Sequence, residues 1–489
     1  MPLELPAVKL AGIAPEIVLS ATALALLLIH AFVQREGWYL PLIATFGLGL
    51  AMRLAVGAGD PPASHFSGAI ASDGFASFSK VAIAVFGLLT VWLARATVVR
   101  RGLEESEFYA LVLFATAGMM LMAAAADLIV MFLALEMFSI ALYVLVGFRA
   151  DSSDGQESSM KYFLLGAFSS AFFLLGIALV YGATGSTTLG PGGQQNIIEA
   201  LNAAPAGGAS LLILGTAMLI VGLGFKVAAV PFHMWTPDAY QGAATAVTGF
   251  MAAGSKFAGF AAMLRLLDGT LFSIRWDWRP LLVAIAVATM VVGSVLAVVQ
   301  ENVKRMLAYS SIAHAGFVLT GIVAANDRGV AGTLFYLTVY GLTVLGAFAV
   351  VAILAGPDDS RVRLADYRGL FAANPLLAGA LTLFLLSLAG VPLTSGFVGK
   401  LVVFAAAIES GYVWLIAIGA LASAVAAFFY LRVLVVMYMQ EPDAETASVR
   451  ANPLAGGVVA VTAAATLILG IFWGPLIRAA ENATFFAGV

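Results

Sequence analysis

Stretches of about 20 apolar residues, the length a helix needs to cross a hydrocarbon core, recur along this whole 489-residue sequence with only short interruptions. Composition agrees: 62% of residues are hydrophobic and 10% charged, against roughly 25% charged in a soluble globular domain. The expectation is an all-α polytopic membrane protein with no room for a soluble domain.

The first windows lie at Ile13 to Phe32, Tyr39 to Val56, Phe75 to Val98, Phe108 to Ala126 and Leu128 to Phe148. The next are Tyr162 to Tyr181, Ser210 to Val230, Ala243 to Leu267, Leu281 to Val299 and Val303 to Ala324. The last are Ala331 to Leu354, Pro375 to Ala407, Val413 to Met439 and Gly456 to Trp473, about 14 transmembrane helices in all. The first is read as a retained helix rather than a cleaved signal, because many spans follow it.

Orientation depends on where Lys and Arg fall, so the net charge of −3 says little. Odd-numbered loops carry Arg35, then Arg95, Arg100 and Arg101, Arg149 and Lys161, Lys304 and Arg305, Arg361, Arg363 and Arg368, and Arg450. Even-numbered loops are poorer, apart from the stretch holding Arg265, Arg275 and Arg279. This bias predicts both termini on the periplasmic side of a bacterial inner membrane.

The sequence has no cysteine, so it offers no thiolate for an iron–sulfur cluster. Of its four histidines only His314 falls clearly mid-span, which leaves little for haem. The glycine-rich run after Gly182 lacks the Lys-Ser/Thr ending of a phosphate loop. Any redox chemistry lies elsewhere: no cofactor or metal is expected in this chain, and no nucleic acid partner.

What needs explaining is charge inside the spans, because an ionisable side chain at the bilayer centre costs at least ~2.5 kcal/mol on the gentlest scale. Glu136 follows Asp127, a plausible helix cap, by nine residues, roughly 13 Å deep at 1.5 Å per residue. Lys226 precedes Pro231 by five residues, Lys256 and His314 lie deep in the eighth and tenth spans, and Lys400 follows Pro392 by eight. A proline inside a span frees a carbonyl that protein or water must satisfy. Two such sites, each in the fourth span of a five-span block, suggest a transporter built from repeats.

Plainer readings stand beside this one. Lys80, Lys161 and Lys304 lie near span ends, where snorkelling or orientation accounts for them. His314 has a reading as a packing histidine, His233 as a structural one, and the four buried charges as static ion pairs. Three lysines to one glutamate argue against the last. Buried lysines beside a carboxylate suit proton transfer, and Glu136 is the natural modulator of Lys226. Ser139, three residues from Glu136, and Ser310, four before His314, extend the path with hydroxyls.

At these residues the sequence resembles a known family. Phe-Lys226-Val-Ala-Ala-Val-Pro-Phe-His-Met-Trp-Thr-Pro-Asp-Ala-Tyr240, followed by Ser-Lys256, is similar to the signature of the antiporter-like subunits of respiratory complex I, particularly its N-type members. Leu-Glu136-Met-Phe-Ser, Asn302-Val-Lys-Arg-Met-Leu-Ala-Tyr-Ser310-Ser311-Ile-Ala-His314 and Gly390-Val-Pro392-Leu-Thr-Ser-Gly-Phe-Val-Gly-Lys400 support it. One departure is Ala244, where the family usually has proline; it leaves the start of the eighth helix open.

The resemblance implies two inverted five-helix repeats, each with a broken helix: residues 1–107 as helices 1 to 3, 108–267 and 268–440 as the repeats, 441–489 as helix 14. It implies Glu136 and Lys226 as the charged pair of one half-channel, Lys256 as central relay, His314 continuing the axis and Lys400 as the exit lysine. Ser139, Lys161, Pro231, His233, Asp238, Ser310, Ser311 and Pro392 support them. The implied function is proton translocation in the membrane arm of an NADH:quinone oxidoreductase, as a non-redox subunit, with NADH, FMN, Fe–S clusters and quinone in other subunits. Expected partners are the antiporter-like M subunit, small hydrophobic subunits and the lipid bilayer. The chain lacks the long lateral helix of the L subunit. The alternative is a subunit of a multisubunit Na+/H+ antiporter.

Overall fold

A computed structural model describes residues 10–33, 37–57, 59, 62–98, 105–149, 152–190, 196–203, 209–356, 359–442 and 452–485. Arg35, Arg100, Arg101 and Arg450 lie outside the described residues. Helices stand at every apolar window: α1 (Ala14–Val33), α2 (Tyr39–Ala55), α3 (Gly74–Val98), α4 (Glu105–Ala124), α5 (Leu128–Val146) and α6 (Ser153–Thr184). After α7 (Ala209–Lys226) come the short α8 (Trp235–Gly242) and α9 (Thr245–Thr270), the latter with π-turns at Met251–Ser255 and Leu264–Thr270. The chain continues through α10 (Arg275–Val298), α11 (Val303–Ala324), α12 (Asp327–Ala355), α13 (Pro375–Ala389), α14 (Ser395–Glu409), α15 (Val413–Met439) and α16 (Pro453–Ile471). Among the described residues, eleven helices are long and apolar enough to cross a membrane.

Polar caps set many of the starts. Asp127 accepts from the amides of Ile129 at 2.8 Å and Val130 at 3.4 Å, as the sequence suggested. Ser152, Asn302, Asn326, Asn374 and Asn452 do the same for α6, α11, α12, α13 and α16. A capped end leaves fewer bare amides for lipid to meet.

Burial is graded across the bundle. The apolar windows of α11 and α12 are 94% buried and that of α9 is wholly buried, whereas α1, at 22%, keeps a lipid-facing side. The centre therefore contains the helices that carry Lys256 and His314.

Several expectations need correction. The seventh window stops at Lys226 rather than Val230; the twelfth is broken beside Pro392, as expected, into two helices, α13 and α14, where Gly390 turns at φ +89° and Leu393 at φ +70°. Helix α6 begins nine residues early, so Lys161 is inside a helix. Lys80 does not snorkel: its ammonium is buried 2.8 Å from Glu16 of α1. Nor does Lys304, which is buried 3.2 Å from Asp359 and donates to the Ala243 carbonyl at 2.6 Å. Arg265 and Arg279 are not loop charges. Arg265 grips Asp73 with two bonds of 2.8 and 3.0 Å, and Arg279 donates to the carbonyls of Val323 and Ala324 at the end of α11.

The start of α9 keeps its shape without the family's proline. Ala244 has φ −56°, which proline also adopts, and Asp359 accepts from the Thr245 amide at 3.1 Å and hydroxyl at 2.7 Å.

Candidate functional site

Two helix breaks place two lysines. Lys226 ends α7; beyond it Ala228 takes φ +62° and Val230–Pro231 is a cis peptide. The groups freed there find partners: the Ala229 amide donates to Gly224 at 2.8 Å, the Val230 amide to the Thr289 hydroxyl at 2.9 Å, and the Trp235 indole to the Phe225 carbonyl at 2.9 Å. The lysine is thus anchored by a well-bonded break rather than by a loose loop.

The Lys226 ammonium donates to Ser139 Oγ at 2.8 Å and to the Tyr162 hydroxyl at 3.0 Å, and lies 4.3 Å above the Phe138 ring. Tyr162 is fixed in turn by stacking on Trp235, with centroids 4.5 Å apart. Glu136 is half-buried and accepts from the Ser170 hydroxyl on α6. The charged pair implied by the resemblance is therefore not a direct contact. No ion pair joins Glu136 and Lys226 among the described residues, and Ser139 stands one turn along from Glu136 as the lysine's partner.

Lys256 follows the first π-turn of α9, a geometry frequent at functional sites. It is buried and donates to the Ser311 carbonyl of α11. His314, one turn further on, has Nδ1 2.7 Å from the Tyr336 hydroxyl and Nε2 3.4 Å from that of Tyr430. Ser310 is hydrogen-bonded to Tyr430, and the Tyr340 hydroxyl donates to Ser311 Oγ at 2.8 Å.

Lys400 uses its own break differently. Because α13 stops at Ala389, the carbonyls of Leu388 and Ala389 point at the ammonium, 3.1 and 3.0 Å away, at the negative end of that helix's dipole. Ser423 of α15 adds a third acceptor at 3.2 Å, and the Phe317 ring lies 4.6 Å below.

Lys226, Lys256 and Lys400 are all buried, and none has a carboxylate within ion-pair distance among the described residues. That removes the static-pair reading for the three lysines. Two expected residues stand apart: among the described residues no hydrogen bond joins half-buried His233 to the lysines, and Asp238 belongs to a separate, partly exposed cluster. There Lys161 lies 3.0 Å and Arg305 2.6 Å from the Asp238 carboxylate. Burial works to raise this carboxyl, but hydrogen bonds and charge from Arg305 and Lys161 outweigh it and hold it below the usual carboxylate range.

Sequence reasoning missed Tyr162, Ser170, Tyr336, Tyr340, Ser423 and Tyr430. The only signal was a hydroxyl inside an apolar span.

A helical bundle with buried lysines at helix breaks defines the class, an antiporter-like polytopic membrane subunit. The family model for the transmembrane part of NADH:quinone oxidoreductase and Mrp antiporter proteins matches residues 125–426. The chain is 44% identical to NADH-quinone oxidoreductase subunit N of Trichlorobacter lovleyi, covering 97% of each. It is 41% identical to that of Salinispora arenicola, covering 99% of each. Among solved structures, a chain of Thermus thermophilus respiratory complex I with bound aureothin is 35% identical with TM-score 0.81, covering 96% of this chain and 99% of that one. A chain of the Mrp complex from a Dietzia species shares the fold at TM-score 0.85 and 21% identity, over 96% of each. The chain belongs to the NADH:quinone oxidoreductase/Mrp antiporter family, and within it to the NADH-quinone oxidoreductase subunit N proteins.

Proposed function

We propose that this chain translocates protons as a non-redox membrane-arm subunit of a bacterial NADH:quinone oxidoreductase, through Glu136, Lys226, Lys256, His314 and Lys400. The observation that carries this reading is the bonding of the three lysines: hydroxyls and carbonyls hold them, with no carboxylate counter-ion in contact among the described residues. A lysine so held gains or loses a proton without breaking an ion pair, so a charge arriving nearby is enough to move it.

In this reading residues 108–267 and 268–440 are the two repeats, each with one broken helix, and both termini face the periplasm of a bacterial inner membrane. Quinone reduction and its cofactors reside in other subunits, and the partners are an antiporter-like M subunit and small hydrophobic membrane subunits. The test is Lys226→Ala and Lys256→Ala in the assembled complex. Both proton pumping and quinone reductase activity should fall; full pumping in both variants would overturn the assignment. The subunits that co-purify separate it from a Na+/H+ antiporter: Fe–S and flavin proteins support the oxidoreductase.

A further inference from the structure

Both ring nitrogens of His314 meet a phenol. Tyr336 of α12 is 2.7 Å from Nδ1 and Tyr430 of α15 is 3.4 Å from Nε2, and all three side chains are buried. We propose that Tyr336 and Tyr430 are relay hydroxyls, and that the Ser310–Tyr430–His314–Tyr336 chain carries the proton between Lys256 and Lys400. This rests on the proton-translocating reading above.

The chain has an address at each end. Tyr430 is bonded to the hydroxyl of Ser310, and the next residue, Ser311, holds Lys256 through its carbonyl. On the far side the Tyr336 ring stands against Gly399, the residue before Lys400. A Cβ on Gly399 would lie 2.8 Å from that ring, so glycine is what lets the ring stand there. Helix α15 serves both ends, since Ser423, two turns before Tyr430, accepts from Lys400 at 3.2 Å.

The chemistry suits the groups. A phenol both donates and accepts, and a neutral imidazole has one nitrogen of each kind. In one passage the Lys256 ammonium gives a proton to Ser310 as Ser310 gives its own to Tyr430, and Tyr430 gives its own to Nε2. The ring releases the proton on Nδ1 to Tyr336, whose own hydroxyl proton goes on to the unprotonated Lys400 amine. Each O–H or N–H bond broken is matched by one formed, and no electron moves. The ring is left as its other tautomer, so a second proton waits until ring and hydroxyls are reset.

The test uses the whole complex in proteoliposomes, reading protons pumped per NADH oxidised. Tyr336→Phe and Tyr430→Phe remove one oxygen each and should lower that ratio at least threefold, with the double variant no worse than the poorer single. Gly399→Ala should act in the same direction by displacing the Tyr336 ring. The His314 ring band in the infrared difference spectrum, assigned by its loss in His314→Gln, should shift in Tyr336→Phe. If Tyr430→Phe fails to assemble, Ser310→Ala breaks the same link from its other end. Wild-type pumping ratios in both Phe variants, or an unshifted histidine band, would overturn the hydroxyl chain. Lys256→Ala is the control. If it and Lys226→Ala both pump fully, the translocation reading itself falls; if Lys256→Ala does not pump while the Phe variants do, only the tyrosines are excluded.

Discussion

Ser139 Oγ lies 2.8 Å from the Lys226 ammonium, on the same helix as Glu136 but one turn beyond it. The carboxylate therefore acts on the lysine through its field, and the hydroxyl acts by contact. A hydrogen bond to a charged group contributes about 1.5–3 kcal/mol, enough to shift a protonation equilibrium tenfold or more.

Ser139→Ala and Tyr162→Phe should each slow proton pumping several-fold, and together more than either alone, because each removes one of two acceptors on Lys226. Glu136→Gln keeps an acceptor for the Ser170 hydroxyl while losing the charge, so the complex should assemble normally and pump about tenfold more slowly. Pumping assays on reconstituted complex, beside assembly yield on native gels, check all three. An unchanged rate in Glu136→Gln would remove the field effect.

Asp73 and Arg265 form a buried pair with two bonds, and Asp73 also caps α3 through the Ala76 amide at 2.7 Å. Removing one partner of a buried pair costs about 3–5 kcal/mol, because the other charge stays behind. Arg265→Ala should lower the thermal midpoint of the complex sharply. Arg265→Lys should recover little of it, since an ammonium cannot span both carboxylate oxygens. A midpoint within a degree of wild type for Arg265→Lys would show that charge alone suffices.

The placement of the helices was legible because their apolar windows are local, and so was Asp127 as a cap. The lysines were legible because a charge in such a window has few explanations. Their partners were not. Tyr162 lies 64 residues before Lys226 and Ser423 23 after Lys400, brought to them only by packing. Tyrosines on apolar helices also read as ordinary core aromatics. The break beside Pro392 was legible from its proline, but its limits were blurred because Pro375 to Ala407 is apolar throughout, while the turn depends on backbone angles at Gly390 and Leu393. Lys80 and Lys304 were misread because their acids, Glu16 and Asp359, are distant in sequence.

Asp238 gives a pH dependence. Its carboxyl is held below the usual range, near 3.9, by Arg305 and Lys161 against the effect of burial. A lowered folded value means the contribution is fully present above about pH 4 and is lost as pH falls through the folded value. Thermal stability of the cluster should stay flat between pH 5 and 8 and fall only in more acid buffer. Asp238→Asn should remove that acid limb and lower stability slightly across the neutral range, as expected of a partly exposed, salt-screened network. Melting curves at graded pH, at low and high salt, check both.

Lys304 and Asp359 combine two functions that separate variants can resolve. Asp359 neutralises a buried ammonium at 3.2 Å and also caps the start of α9 through Thr245. Asp359→Ala loses both and should be strongly destabilised, by about 3–5 kcal/mol for the broken buried pair plus roughly 1 kcal/mol for the cap. Asp359→Asn retains an oxygen for Thr245 and loses only the charge. Adding Lys304→Met to it removes the ammonium that Asp359 neutralised, so the double variant should recover most of the loss. The measurement is the thermal midpoint of the assembled complex for the two single variants and the double. If the double variant melts as low as Asp359→Asn, the cost lies in the start of α9 and not in the buried charge.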